Sequence, residues 1–588
     1  MALASAALSY TEPGIVTILI FASFLLLLNA VNTLLDRTVY CGLVGQILLG
    51  VAWGVPGANW LPLEAQDTIM QLGYLGLILI VYEGGLATNV ASLKANLFLS
   101  ATVALVGISA PIGLSFALQG LLNVTPLQTF AAGAALCSTS LGTTFTVLTT
   151  SGLSESRLGV VLTSAAMMDD VVGLVMVQVI SNLGGASTFS WVTVVRPIGV
   201  SVAFAVLLPL LCLWVVKPLT VLYYEALTSA KASSMHSTSA NRVAALAFNT
   251  AVLLAPVTGS SYAGTSNLFA AYLAGACTSW LDELWSGLYG EQKRRAISPV
   301  ASRGQGGVQR QSVGSASTEV DRNDQQERPT TGVQIYEQYC GSAVEAILKP
   351  FFFASIGFSI PISRMFEGGI IWRGFVYAGL MALGKLLCGL CLVSVARHAL
   401  EKPDYSPAML WPFRQAGRAT KQIRKKTGTS AVDVNSAPPQ EESAQKASSV
   451  QASSGDVAPD SRPPHIARAA QGEENTEQAN TSRKRSALPK PRSLYPAAIL
   501  GSAMMARGEI GFLISSVAES NGIYGSGTGQ GTSELFLVVT WAILLCTIVG
   551  PVTVGLLVKR VKRLQALERR DSAGRDDPLG IWGLIPTA

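Results

Sequence analysis

The sequence predicts an all-α polytopic membrane protein of about 13 transmembrane helices, and three observations carry that prediction. Only 13% of the 588 residues are charged and 49% are hydrophobic, whereas a soluble globular chain carries about 25% charged residues. Mean hydropathy is +0.41. Apolar runs recur along the chain, each near the ~20 residues that a helix needs to cross hydrocarbon. Lys and Arg also concentrate on alternate connections between those runs, as the positive-inside rule requires.

The candidate spans are 13–35, 40–57, 69–90, 97–121, 127–150, 157–182, 193–217, 242–260, 263–281, 341–361, 369–396, 495–520 and 533–558. The second, eighth and ninth are short or polar, and "PVTGSSYAGTSN" reads either as a loop between two spans or as a break within one. With the N-terminus on the non-cytosolic side, Arg37, Lys94, Arg157, Lys217, Lys231, Arg242, "EQKRR" and "TSRKRSALPKPR" fall in cytosolic connections, and "VKRVKRLQALERR" in a cytosolic tail. "LPLEAQDT", "SNLGGAST" and "SNGIYGSGTGQGT", on the other side, contain no Lys or Arg, and Arg196 and Arg364 are mild exceptions. "MALASAALSYTEPG" has no basic residue before its apolar run, so it does not read as a cleaved signal peptide.

This divides the chain into a short non-cytosolic N-terminus (1–12), nine spans (13–281), a cytosolic loop (282–340), two spans (341–396), a second cytosolic loop (397–494), two spans (495–558) and a cytosolic tail (559–588). Both loops are rich in Ser, Gln and charge and are expected to be disordered, because neither can bury a core. Their Ser/Thr content would also suit phosphorylation.

Polar residues inside the apolar runs mark the candidate site. "SAAMMDDVVGLVMVQVI" places Asp169 and Asp170 side by side in an otherwise apolar span. A carboxylate at the bilayer centre costs roughly 2.5–3.5 kcal/mol on insertion scales, so two imply a compensating cation or a function. Neighbours on a helix point about 100° apart, which lets the two acids address different partners. The preceding span holds "LCSTSLGTTFTVLTTSG", whose Thr139 and Ser140 belong to a hydroxyl-rich stretch able to ligate a hard monovalent cation. Gly142 is the expected point of local unwinding. Lys385 sits mid-span in "YAGLMALGKLLCGLCLVSV", too central to snorkel, and so wants an anion. Arg507 and Glu509, in "SAMMARGEIGFLI", are placed either to pair with other groups or to satisfy an unwound backbone. Glu83 is another buried candidate, and Lys349 is expected at a span's entrance, where it would snorkel.

Other chemistries lack their signatures. The eight cysteines show no CxxC pair or metal-ligand spacing and read as small buried apolar residues, while His236, His398 and His465 lie in or beside polar loops. There is no Walker motif, no GxGxxG unit and no soluble catalytic domain after the last span, so neither enzymatic activity nor a cofactor is expected. The net charge of +6 lies in loops without interleaved aromatics, so no nucleic-acid partner is expected.

These residues together carry a resemblance. "CSTSLGTTFTVL" followed by "RLGVVLTSAAMMDDVVGL", with "YLGLILIVYEGGL", "FAAYLAGACTSW", "LKPFFFASIGFSI" and "MARGEIGFLI" in that order, resembles the monovalent cation/proton antiporter (sodium/hydrogen exchanger) family, in its paired-aspartate branch. The resemblance covers nearly all of the membrane portion, and the long loops outside it suggest a eukaryotic, fungal member. It implies inverted five-helix repeats, two crossing broken helices, a core and a dimerisation domain, and a homodimer in the lipid bilayer. It further implies that Asp170 is the ion- and proton-binding carboxylate, the metal site being for a monovalent cation. By the same resemblance, Asp169 lies near Lys385, with Thr139 and Ser140 at the crossing. The partners implied are Na⁺, K⁺ or Li⁺ and H⁺, in a plasma membrane or an endomembrane, with a cytosolic C-terminus. Cys137 at the head of "CSTSLG", and "GTSNLFAAYLAG" in the ninth span, depart from the usual small-residue pattern and leave the cation open. The rival readings are an organic-anion transporter of related inverted-repeat fold and a cation channel. No filter such as TVGYG is present to support the second.

Overall fold

A computed structural model describes residues 12–184, 191–219, 238–297, 331–401, 494–525, 532–570 and 578–583, apart from 39, 89, 141, 143, 145–147, 150 and 151. The expected disorder of the two loops, and most of the second, lies outside these residues. Contacts group the chain into Met1–Pro412 with Leu488–Ala588, and Phe413–Ala487. The second group lies wholly outside the described residues, so every helix described belongs to the first.

The described secondary structure is helical throughout. In order, the helices are α1 (Ile15–Thr38), α2 (Gly42–Trp53), α3 (Leu63–Leu86), α4 (Val90–Ser115), α5 (Pro126–Ala135), α6 (Arg157–Gly184), α7 (Trp191–Leu211), α8 (Thr238–Ala263) and α9 (Asn267–Ile297). After the first long loop come α10 (Gly332–Tyr336), the π-helical turns Glu337–Gly341 and Val344–Leu348, α11 (Lys349–Phe358) and α12 (Gly368–Glu401). Next come α13 (Tyr495–Ala503), α14 (Glu509–Ser520) and α15 (Glu534–Arg570), and the short helices Leu118–Leu122 and Ile362–Met365 lie in connections. Seven of the described helices are long and apolar enough to cross a membrane, or eight if Gly332–Gly341 and Val344–Phe358, bent by 50°, count as one span. The remainder of the thirteen expected spans are shorter, more polar or broken: α2 has only 12 residues, and α5 ends where its span unwinds.

The helix ends depart from the expected loop boundaries. α9 runs to Ile297, α12 to Glu401 and α15 to Arg570, well past the apolar limits 281, 396 and 558. Apolarity fixes where a helix leaves hydrocarbon and not where it stops, and "EQKRR" and "KRVKRLQALERR" are made of good helix formers. The far margin of the 282–340 loop is helical too. Thr331 caps α10 with a capping box to Gln334, and Asp282 accepts the Gly332 N–H at 2.8 Å, tying the two margins together. The ambiguous "PVTGSSYAGTSN" resolves into the end of α8, a turn with Gly264 at φ 77°, and the start of α9.

The core is apolar and continuous across α2, α3, α5, α6, α9, α11, α12, α14 and α15. A second cluster joins Leu158, Val161 and Leu162 of α6 to Val558 and Val561 of α15, and includes Leu579, Ile581 and Trp582. Part of the segment 559–588 is therefore buried, because its short Leu-Gly-Ile-Trp run is apolar enough to dock.

Candidate ion-binding site

Two of the apolar segments are interrupted, and their interruptions meet. α5 ends at Ala135 and the chain is unwound over 136–140, while α13 ends at Ala503 and is unwound over 504–508 before α14 begins. The Ser140 N–H donates to the Ala506 carbonyl at 2.9 Å, so backbone groups freed in one break are satisfied by the other. The Thr139 hydroxyl lies 3.2 Å from the Met504 carbonyl, and Thr144 donates to the Ala503 carbonyl at 3.3 Å. Arg507, wholly buried, donates to the Ser138 carbonyl at 2.6 Å, and its own carbonyl accepts from Thr547 at 2.8 Å. Arg507 thus serves the unwound backbone, one of the two roles its sequence position allows. Gly508 has no side chain because one would run into Ser140, so glycine is what lets the two breaks approach.

The break lies ahead of the expected Gly142, which is itself helical. Residues 136–140 leave the helix because Thr139 and Ser140 exchange intrahelical bonds for contacts with α6 and the second break.

α6 carries the acids into this junction, and Asp169 and Asp170 are both buried. Asp169 is ion-paired with Lys385 of α12, and neither side chain is exposed. Thr139 bridges the pair, donating to Asp169 Oδ2 at 2.9 Å and accepting from Lys385 Nζ at 3.0 Å. Asp170 lies outside that network, and its Oδ1 is buried with no hydrogen-bond partner among the described residues. The charged groups acting on Asp170 are Glu509, Asp169 and Lys385. Glu509 stands at the first position of α14, directly after Gly508, which lies against Ser140. An unpaired buried carboxylate is costly, whereas a carboxylate that can take up a proton or a desolvated cation is not.

The structure therefore gathers Thr139, Ser140, Asp169, Asp170, Lys385, Arg507 and Glu509 at one junction. Glu83 is not part of it. It accepts from the Tyr336 hydroxyl at 3.2 Å. Lys349 is the first residue of α11, preceded by the two π-helical turns and α10, which begins at Gly332. Two features have no signal in the sequence. The Met504 and Ala506 carbonyls are backbone groups that become acceptors only through unwinding. Gly107 of α4 faces the ion pair, where a Cβ would lie 3.3 Å from Lys385 Nζ and 3.4 Å from Asp169 Oδ2. Nothing about one glycine among 56 marks it in advance.

Comparison with known proteins agrees with this architecture. The chain is 33% identical over 143 residues to the high-affinity Na⁺/H⁺ antiporter NhaS3 of Synechocystis sp., covering 24% of this chain and 31% of that protein. It is 26% identical over 133 residues to the Na⁺/H⁺-K⁺ antiporter GerN of Bacillus cereus, covering 23% and 34%. To the probable Na⁺/H⁺ antiporter GerT of the same organism it is 27% identical over 189 residues, covering 32% and 50%. The chain thus spans between about a third and a half of the length of these curated relatives. Its fold is similar to that of the sodium proton antiporter MjNhaP1 from Methanocaldococcus jannaschii, with a TM-score of 0.50 at 13% identity, covering 92% of this chain and 98% of that one. The family model described as "Sodium/hydrogen exchanger, transmembrane" matches residues 5–299. That match takes in α1 to α9 and both acids of the junction, and with it the chain belongs to the sodium/hydrogen exchanger family.

Proposed function

We propose that the protein is a secondary antiporter that exchanges a monovalent cation for protons at Asp170. One observation carries this reading: a buried carboxylate oxygen without a partner among the described residues sits where two broken helices meet, next to an acid already neutralised by a lysine. Such a carboxylate holds a proton or a cation, but not both at once. Competition at one group couples the two fluxes when access alternates between the membrane faces. Asp169 and Lys385 neutralise each other beside it, Thr139 fixes their geometry, and Ser140 and the freed carbonyls supply further oxygen ligands. Arg507 and Glu509 hold the second break.

The antiporters NhaS3 and GerN, named for Na⁺ and for Na⁺ and K⁺, favour Na⁺ with K⁺ as a second substrate, and Li⁺ is the remaining candidate. The same reading takes all thirteen apolar segments as spans arranged in two inverted repeats. It places the C-terminus in the cytosol and the protein as a homodimer in a plasma membrane or endomembrane. The family match and the Na⁺ and K⁺ antiporters among the relatives do not favour an organic-anion substrate.

The test is proton flux into proteoliposomes of purified protein on addition of NaCl, KCl or LiCl. Cation-dependent proton movement without ATP supports exchange. Cation flux with no linked proton movement points to a channel, and flux driven only by organic anions to the other rival.

A further inference from the structure

Unwinding the second break frees the carbonyls of Met504, Ala506 and Arg507, all in buried residues, and a buried carbonyl without a donor is costly. The first break supplies partners for two of them. The Thr139 hydroxyl lies 3.2 Å from the Met504 carbonyl, and the Ser140 N–H donates to that of Ala506 at 2.9 Å. The Arg507 carbonyl is met from a different helix. The Thr547 hydroxyl of α15 lies 2.8 Å from it, and no backbone N–H among the described residues donates to that oxygen.

The Thr547 hydroxyl has a competing acceptor. It also lies 2.6 Å from the carbonyl of Ile543, four residues back in its own helix, the usual acceptor for a helical threonine. One hydroxyl carries one proton, so it serves one of the two carbonyls at a time. Ile543 stands inside α15, where the helical ladder already provides a donor, whereas Arg507 lies outside any helix. The larger penalty for losing the hydroxyl therefore falls on Arg507. Gly550, one turn on from Thr547, brings the same face of α15 against the break: a Cβ there would lie 2.8 Å from the Ala506 nitrogen and 3.1 Å from the Ser502 carbonyl oxygen. Arg507 in turn donates to the Ser138 carbonyl of the first break at 2.6 Å. Ser138 packs against the acid-bearing helix next to Asp170, since a Cβ on Gly173, one turn beyond that acid, would lie 2.7 Å from the Ser138 Cβ. Contacts thus run unbroken from Thr547 through Arg507 and Ser138 to the turn of α6 that follows Asp170.

We propose that Thr547 is a positioning residue for the cation: by holding the Arg507 carbonyl it fixes the second break, and with it the oxygen ligands that the two breaks present beside Asp170. This role rests on the exchange reading and adds to it a residue from outside both broken segments. Thr547 acts through the unwound backbone and itself takes up neither proton nor cation.

The experiment titrates proton flux with NaCl in proteoliposomes at constant ionic strength, made up with choline chloride, for wild type, Thr547→Val and Thr547→Ser. Valine keeps the shape and removes the hydroxyl. It is expected to raise the apparent KM for Na⁺ by roughly three- to tenfold, the effect of one lost hydrogen bond, with the maximal rate per folded protein falling by less. Serine keeps the hydroxyl and should return the KM to near the wild-type value. A merely structural role would lower the amount of folded protein in both variants and leave the KM of each where it was. If Thr547→Val does not fold, Thr547→Ala, which removes the hydroxyl without setting a second methyl group against the Arg507 carbonyl, carries the same test. An unchanged KM in the variant lacking the hydroxyl, or a KM in Thr547→Ser raised as far, overturns the proposal while leaving exchange intact. Wild-type vesicles without any cation-dependent proton flux overturn the exchange reading itself, and the proposal with it.

Discussion

Removing one partner of the Lys385–Asp169 pair should cost far more than removing both. Both side chains are wholly buried, and Thr139 is bonded to each, at 3.0 and 2.9 Å. Lys385→Met leaves a desolvated carboxylate with one hydroxyl donor, and losses of this kind run to about 3–5 kcal/mol. Replacing both by neutral groups of similar size, Asp169→Asn with Lys385→Met, removes the uncompensated charge and should recover most of that loss. Thr139→Val deletes two hydrogen bonds to charged groups, each worth about 1.5–3 kcal/mol, so its cost should approach that of the single charge deletion. Thr139→Val should add little to the double variant, because its charged partners are already gone. Apparent thermal midpoints of the purified variants in one detergent give the comparison. The reasoning is refuted if the double variant is as unstable as the sum of its singles, or if Lys385→Met matches wild type.

Three further outcomes rest on particular contacts. Gly107→Ala puts a methyl group against Lys385 and Asp169, and tight overpacking of this kind costs about 1–3 kcal/mol; a midpoint equal to wild type would show that α4 can yield there. Burial pushes the Asp282 carboxyl up to about 6, against the bonds it accepts from the Gly332 and Val333 N–H groups. A raised acid pKa means that the folded state binds the proton more tightly. This group's contribution to stability is therefore full at pH below the ordinary carboxylate range and declines as pH rises to about 6. A pH series of thermal midpoints should show a downward component over that interval in wild type that is missing in Asp282→Asn. Deleting 410–485 should leave the protein monodisperse and its midpoint within a few degrees of wild type, because that stretch has no apolar core to lose; loss of the folded protein would contradict this.

How much the chain alone reveals depends on how strongly each feature violates its surroundings. Asp169, Asp170 and Lys385 are legible because a charge in an apolar run has no bland explanation, and each is brought to the junction. Thr139 and Ser140 are legible only by company, since hydroxyls in membrane helices are common. The position of the break is not legible, because local propensity points to Gly142. The unwinding is decided instead by tertiary bonds from Thr139 and Ser140 to α6 and to the second break, which no local pattern encodes. The helical turns ahead of Lys349, starting at Gly332 under a cap from Thr331, are not legible from apolarity, because the apolar run begins later. The buried Leu579–Trp582 turn has no signal in the sequence, because a four-residue apolar motif is too short to stand out beside a basic segment.

The central claim is that Asp170 is the single group for which proton and cation compete. The most direct measurement is proton release from purified protein in weakly buffered detergent solution when NaCl is added, against choline chloride as control. Wild type should release protons in a saturable manner, and Asp170→Asn, which keeps size but cannot bind a proton, should release none. An Asp170→Asn protein that stays folded and releases as many protons as wild type would contradict the account.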